Sequence, residues 1–185
     1  IKEAKHDRSY LNGIKKEIDD DYGTVFAKTK VELDGVKGNV RTHETNLGDL
    51  ITDALVWGAG KNGTKVDAAV TNGGGIRATI KKGDITKKDI NTVLPFGNTL
   101  AVVYVTGAEL LEALEASTFC TPESLGGFPQ AAGLQFALKT YEKYDANPDP
   151  YPKSTYYGPK SIQRVTIDNV NGKAFDPTAT YAVVT

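Results

Sequence analysis

The chain has 185 residues, 39% of them hydrophobic, which is enough for one domain with a substantial core. Its 22 basic and 23 acidic residues leave a net charge of −1, and this disfavours nucleic acid as the main partner, because a nucleic-acid-binding face shows as a basic excess. No apolar run approaches the roughly 18 residues that span a bilayer, and the lone cysteine, Cys120, excludes an internal disulfide.

The chain opens on Ile1 and contains no methionine, so it reads as a piece of a longer protein. Residues 1–22 are charged and compatible with a helix, with Ile14 and Ile18 on one face, as in a peripheral or connecting helix. Within it, Asp19-Asp20-Asp21 reads as a solvated helix end, since consecutive helical side chains point in different directions. Val25 to Leu33 alternates with the period of a half-buried strand. Asn46 is a suitable N-cap with Asp49 three residues on. Leu47, Leu50, Ile51, Ala54 and Leu55 then recur at helical spacing, predicting an amphipathic helix that ends near Asn62-Gly63. Val66 to Thr71 reads as a short buried strand running into Gly73-Gly74-Gly75.

Thr86 with Asp89, and Thr106 with Glu109, have capping-box spacing. The first opens a short helix that Pro95 must end; the second opens GAELLEALEAS. Thr99–Val105, Leu134–Leu138, Ile162–Ile167 and Tyr181–Val184 read as strands, and residues 141–160, rich in Pro and Tyr, as a long surface loop. Helices and strands without strict alternation predict an α+β domain, with mixed β-sheets packed against helices.

VTNGGGIR, residues 70–77, is the most unusual stretch. A glycine loop after a strand can turn several backbone N–H groups toward one anion, and Arg77 adds a planar cationic fork. It can equally be a tight turn whose glycines permit positive φ. Gly73, Gly75 and Ala78 match the G-x-G-x-x-A dinucleotide fingerprint, but the β-branched, glycine-broken ATIKKGDIT that follows starts no helix, so that reading fails. Asp145–Asp149 imitates the opening of a calcium loop, but Pro150 and Tyr156 stand where glycine and glutamate are required. The only histidines, His6 and His43, have no ligand-spaced partners, and no nucleophile–base pair is visible. Phe96, in Pro95-Phe96-Gly97-Asn98, is either a staple on a neighbouring helix or a flat platform for a ring, where stacking on a base contributes about 1–3 kcal/mol.

VRTHETNLGDLITDAL, VDAAVTNGGGIRATIKKGDIT and NTVLPFGNTLAVVYVTGAELLEALEAS, in this order, resemble the C-terminal domain of the 5′-nucleotidase family, which includes UDP-sugar hydrolases and ecto-5′-nucleotidases. The similarity runs from Gly23 to Thr185, with residues 1–22 resembling the helix that joins this domain to the one before it. The resemblance implies that Arg41 and Arg77 hold phosphate, Asn72 meets the base, Gly74 and Gly75 let the ligand approach the backbone, and Phe96 forms one side of an aromatic clamp. It implies a preceding metallophosphoesterase domain with two divalent metals and a catalytic histidine, and no cofactor on this chain. Because family members continue past the strand at Tyr181–Val184, it also implies a C-terminal truncation with half a clamp and no hydrolysis by this piece alone. The implied ligands are nucleoside 5′-phosphates or UDP-sugars, and the implied location is extracellular, periplasmic or at the cell surface. Two alternatives stand beside this: a 2′,3′-cyclic-nucleotide phosphodiesterase/3′-nucleotidase of the same superfamily, and a non-catalytic surface module that binds a partner through loop 141–160.

Overall fold

The computed structural model describes residues 2–185, with the side chains of residues 2–7 and 18 outside the description. The expectations on His6 and Ile18 therefore fall outside the described side chains. The charged leading segment forms helix α1 (Lys2–Tyr22), whose described apolar residues Tyr10, Leu11 and Ile14 remain exposed. It stops at Gly23, where the N–H returns to the Asp19 carbonyl at 2.8 Å and a Cβ would lie 2.2 Å from that oxygen. Asp19, Asp20 and Asp21 are exposed, and Asp19 pairs with Lys88 at 2.9 Å.

Strand β1 (Val25–Thr29) is shorter than the alternation predicts; the chain rejoins sheet-like pairing only through an isolated bridge between Leu33 and Ile80. Helix α2 covers Asn46–Lys61, and its N-cap is Thr45 rather than Asn46. Thr45 is extended and its hydroxyl accepts from the Gly48 N–H at 3.1 Å. The Asn46 amide is committed elsewhere, accepting from Asp34 N–H at 2.7 Å and donating to Glu32 C=O at 2.9 Å. The buried face of α2 is Leu47, Gly48, Ile51, Thr52 and Ala59, so the expected core positions Leu50 and Ala54 are instead exposed.

Strand β2 (Ala68–Asn72) ends in a single 3-10 turn at Gly73–Gly75, and no α-helix follows the glycines. Strand β3 (Gly83–Thr86) leads into helix α3 (Lys87–Val93), then β4 (Val102–Thr106) into helix α4 (Gly107–Ser117); complete capping boxes open both helices. The remaining strands are β5 (Pro129–Ala132), β6 (Leu134–Leu138), β7 (Val165–Val170), β8 (Lys173–Ala174) and β9 (Thr180–Val184). Loop 141–160 carries one isolated bridge, Ala146 to Pro159, and lies back on α4 through a hydrogen bond between the Tyr151 hydroxyl and Glu112.

Three sheets result: β1-β3, β4-β9-β2-β5 and β6-β7-β8. The central sheet is mixed, because β2 runs parallel to β9 while its other pairings are antiparallel. Side chains alternate across this sheet with period two. Ala69 and Val184 pack in a small cluster with Ala59 of α2, whereas Ala68, Tyr181 and Val183 pack with Leu110 and Leu114 of α4 and with Val165 and Ile167. A third cluster, including Leu33, Val40, Leu47, Ile76 and Val93, joins β1–β3 to the start of α2. This is an α+β domain of helices and mixed sheets. Its construction brings the end of β2, the loop before α2 and the end of α3 to one place.

Candidate functional site

The three glycines meet different surroundings, and none of them has positive φ. A Cβ on Gly73 would lie 1.7 Å from the Val40 carbonyl oxygen, one on Gly74 would lie 2.8 Å from the Gly126 oxygen, and one on Gly75 would meet only the Asn72 side chain, at 3.3 Å. The first two glycines therefore let three backbone segments pack together, and conformational freedom is not what they supply. Nor are the N–H groups of Gly73 and Gly74 free donors. Gly73 N–H donates to Phe128 C=O and Gly74 N–H to Gly126 C=O, each at 2.8 Å, while Ile76 N–H turns to Gly73 C=O and Arg77 N–H to Val93 C=O. Charge for an anion must come from the side chains.

Asn72, Gly75 and Phe96 line one cavity of about 210 Å³, floored by Ile51, Leu55, Leu94 and Leu100 and rimmed by Thr71, Asn98, Thr99 and Thr185. Phe96 is 61% exposed, at the tip of a turn that Gly97 closes with φ of 61°. The staple expectation is thus not met: the ring stands out from the core, in the manner of a platform. Asn72 donates one hydrogen bond, to Gly126 C=O at 3.3 Å, which orients its amide at the cavity wall.

Arg77 does not line this cavity. Its guanidinium lies over the Phe96 ring, 5.9 Å from the centroid, and donates to Gly74 C=O at 3.0 Å. Arg41 is close in backbone terms, since its N–H lies 3.4 Å from the position of a Gly73 Cβ and its C=O accepts from Leu125 N–H. It does not line the cavity either, and its Nε is buried without a partner. Among the described residues neither arginine is ion-paired to a carboxylate. Arg77, over the ring of this cavity, and Arg41, in the segment packed on Gly73, are thus left without protein counter-ions and open to an anionic ligand.

Gln130 holds this arrangement, although the sequence alone does not mark it as a site residue. It is 1% exposed; its amide oxygen accepts from Thr45 N–H at 3.0 Å and its NH₂ donates to Val40 C=O at 3.1 Å and His43 C=O at 2.7 Å. It therefore fixes the loop that carries Arg41 to the strand beside the glycines. A glutamine inside the short apolar run PQAAG is the available signal, and Gly48, whose Cβ would lie 1.9 Å from the Gln130 oxygen, makes room for it. A second buried polar centre is equally silent in the sequence. Glu115, fully buried on α4, accepts from Arg164 N–H at 3.1 Å and Val165 N–H at 2.8 Å, while the buried Arg164 guanidinium donates to Thr118 and Thr121 C=O.

Carboxyl groups near the site respond to local surroundings. Burial, with Glu44 and Asp53 nearby, raises the Asp49 carboxyl above the usual range, whereas the Thr86 hydroxyl and N–H hold Asp89 below it. A larger cavity, about 620 Å³, is lined by His43, Glu44, Gln135 and Phe136 among others and by none of the six candidates. Its size carries less weight than the exposed ring in the lining of the smaller one and the arginine that lies over that ring.

Comparison with known proteins agrees with this fold. The family model described as 5′-nucleotidase, C-terminal domain, matches residues 25–185. The trifunctional nucleotide phosphoesterase protein YfkN of Bacillus subtilis (strain 168) is 43% identical over 141 residues, covering 76% of this chain and 9% of that protein. Protein UshA of Escherichia coli (strain K12) is 38% identical over 114 residues, covering 62% of this chain and 20% of UshA. Among solved structures, the 5′-nucleotidase precursor of Thermus thermophilus superposes with a TM-score of 0.70 at 36% identity, covering 87% of this chain and 29% of that one. The chain thus spans less than a third of the length of each of these proteins.

Proposed function

The chain belongs to the 5′-nucleotidase family as its C-terminal domain, and from that premise we propose that it is the nucleotide-binding part of a metal-dependent phosphoester hydrolase acting on nucleoside 5′-phosphates. One observation carries this reading: the exposed Phe96 ring and the oriented Asn72 amide line one cavity, and Arg77, which has no carboxylate partner among the described residues, lies over that ring. In the proposed complex the base lies on Phe96, the Asn72 amide meets the base edge, and Gly75 leaves the cavity wall bare of a side chain. Arg41 and Arg77 offer their guanidinium forks to the phosphate, a geometry that suits them better than lysine.

Among the described residues no three of His, Cys, Asp and Glu stand where they could hold a metal ion together, so the donor set does not fit a metal centre. The two divalent metals belong, on this reading, to the preceding domain, and this chain contributes binding and orientation. Residues 1–22, which form α1 from Lys2, are proposed as the link to that domain and residues 23–185 as the binding domain proper. UDP-sugars are a second proposed substrate class. The alternative reading is a 2′,3′-cyclic-nucleotide phosphodiesterase/3′-nucleotidase; that more than one ester is accepted is in keeping with the name of the Bacillus relative, a trifunctional nucleotide phosphoesterase. An extracellular, periplasmic or surface location rests on family membership; among the described residues no helix is long and apolar enough to cross a membrane.

The test is steady-state hydrolysis of AMP by the full-length protein. Phe96→Ala should lower kcat/KM by about 5- to 150-fold, the value of one stacked base, and Arg77→Ala by a similar factor. Unchanged kcat/KM in both variants would refute the assignment.

A further inference from the structure

Arg77 is placed where a phosphate ligand alone does not need to be. Its backbone N–H is bonded to Val93 C=O at 2.9 Å, the last residue of α3, and its guanidinium to Gly74 C=O at 3.0 Å. The same guanidinium lies over the Phe96 ring at 5.9 Å, inside the range in which a cation is attracted to an aromatic face. One residue therefore spans the glycine turn, the end of α3 and the ring that projects beyond it. The cavity wall includes Phe96 and Gly75 but not Arg77, so the cation that lies over the ring is not part of the cavity lining.

We propose that Arg77 is a positioning residue for base stacking: it holds Phe96 in its stacking orientation, and so raises affinity for the nucleoside part of the ligand as well as for phosphate. This rests on the nucleotide-binding reading above. Three contacts reach Arg77 without any ligand, whereas the Phe96 ring it lies over is 61% exposed. A cation withdrawn from one face costs about 0.5–1 kcal/mol at an exposed site, which is a two- to five-fold change in affinity.

The experiment is a calorimetric titration of the full-length protein with adenosine, which carries no phosphate, and separately with AMP. Arg77→Gln is compared in the parent and in a Phe96→Leu background, with the melting temperature of each ligand-free protein recorded. The expected result is a two- to five-fold weaker adenosine affinity for Arg77→Gln in the parent, and no further effect of Arg77→Gln once Phe96 is leucine. Adenosine affinity unchanged by Arg77→Gln while AMP weakens would overturn the inference and leave Arg77 as a phosphate fork. An equal loss in both backgrounds would also overturn it, because the glycine turn and not the ring would then be responsible. If Phe96→Leu leaves adenosine binding intact, the underlying site assignment itself fails.

Discussion

Replacing the three glycines of the turn singly by alanine should give three different outcomes. At Gly73 the new Cβ would lie 1.7 Å from the Val40 oxygen and 2.7 Å from the Val40 carbonyl carbon. Both atoms are backbone, Val40 is fully buried, and the Gln130 amide holds that oxygen at 3.1 Å, so no rotamer change relieves the contact. Two segments must part, stretching the 2.8 Å bond from Gly73 N–H to Phe128 C=O. Overpacking of this kind costs typically 1–3 kcal/mol, and an unyielding backbone neighbour puts Gly73→Ala near the top of that range, about 3 kcal/mol. For a domain of this size that lowers Tm by about 6–12 °C. At Gly75 the only close neighbour is the far end of Asn72, at 3.3 Å, and φ is not positive, so alanine fits after a small side-chain shift. The unfolded chain then loses freedom worth about 0.4–1 kcal/mol, and Gly75→Ala should be neutral or slightly stabilising. Gly74→Ala, 2.8 Å from the Gly126 oxygen, should fall between. Urea unfolding and calorimetry of the three variants measure the order directly. A Gly73→Ala protein within about 0.5 kcal/mol of the parent, the scatter of ordinary surface substitutions, would refute the close-approach reasoning.

Glu115→Ala should cost about 3 kcal/mol in urea, because it strands the buried N–H groups of Arg164 and Val165, and Glu115→Gln should cost less, since one acceptor oxygen remains. Thr86→Ala should lose about 1 kcal/mol at pH 7 by removing the cap of α3. The folded Asp89 pKa lies below its unfolded value, so this contribution is fully present above the unfolded value of about 4 and is lost as pH falls below it through the folded pKa; the difference between Thr86→Ala and parent should shrink as urea titrations are carried below about pH 4. The Tyr156 phenol is pushed up to about 12, first by burial and then by the Glu112 carboxylate. Its folded pKa exceeds the unfolded one, so its contribution is full below about pH 10 and is lost on the way to 12. Burial also raises Tyr144, and the Glu112 hydrogen bond raises Tyr151, so an absorbance titration should show late phenolate ionisation whose last part Tyr156→Phe removes.

What the sequence reveals here divides by the distance over which residues act. The capping boxes at Thr86 and Thr106 are three residues long and close as their spacing predicts, and α4 (Gly107–Ser117) and β6 (Leu134–Leu138) have the expected limits. Asn46 misleads because its amide is drawn to Glu32 and Asp34, more than ten residues away, which leaves Thr45 to cap α2. Leu50 and Ala54 follow helical spacing yet face out, because α2 buries a narrow face that includes Gly48 and Thr52. The site residues could be named one by one, and Phe96 could be suspected of standing clear of the core. That Gly73 is pressed on Val40, that its N–H is used by Phe128, and that Gln130 ties both to the Arg41 loop are consequences of contacts between distant segments. No local pattern encodes them.

The most direct test of nucleotide binding at this site is a crystal structure of the full-length protein with a nucleoside monophosphate. The base should stack on the cavity face of Phe96, with the Asn72 amide at its edge and the phosphate between the guanidinium groups of Arg41 and Arg77. A nucleotide seated instead in the larger cavity beside His43 and Gln135, with Phe96 bare, would contradict it.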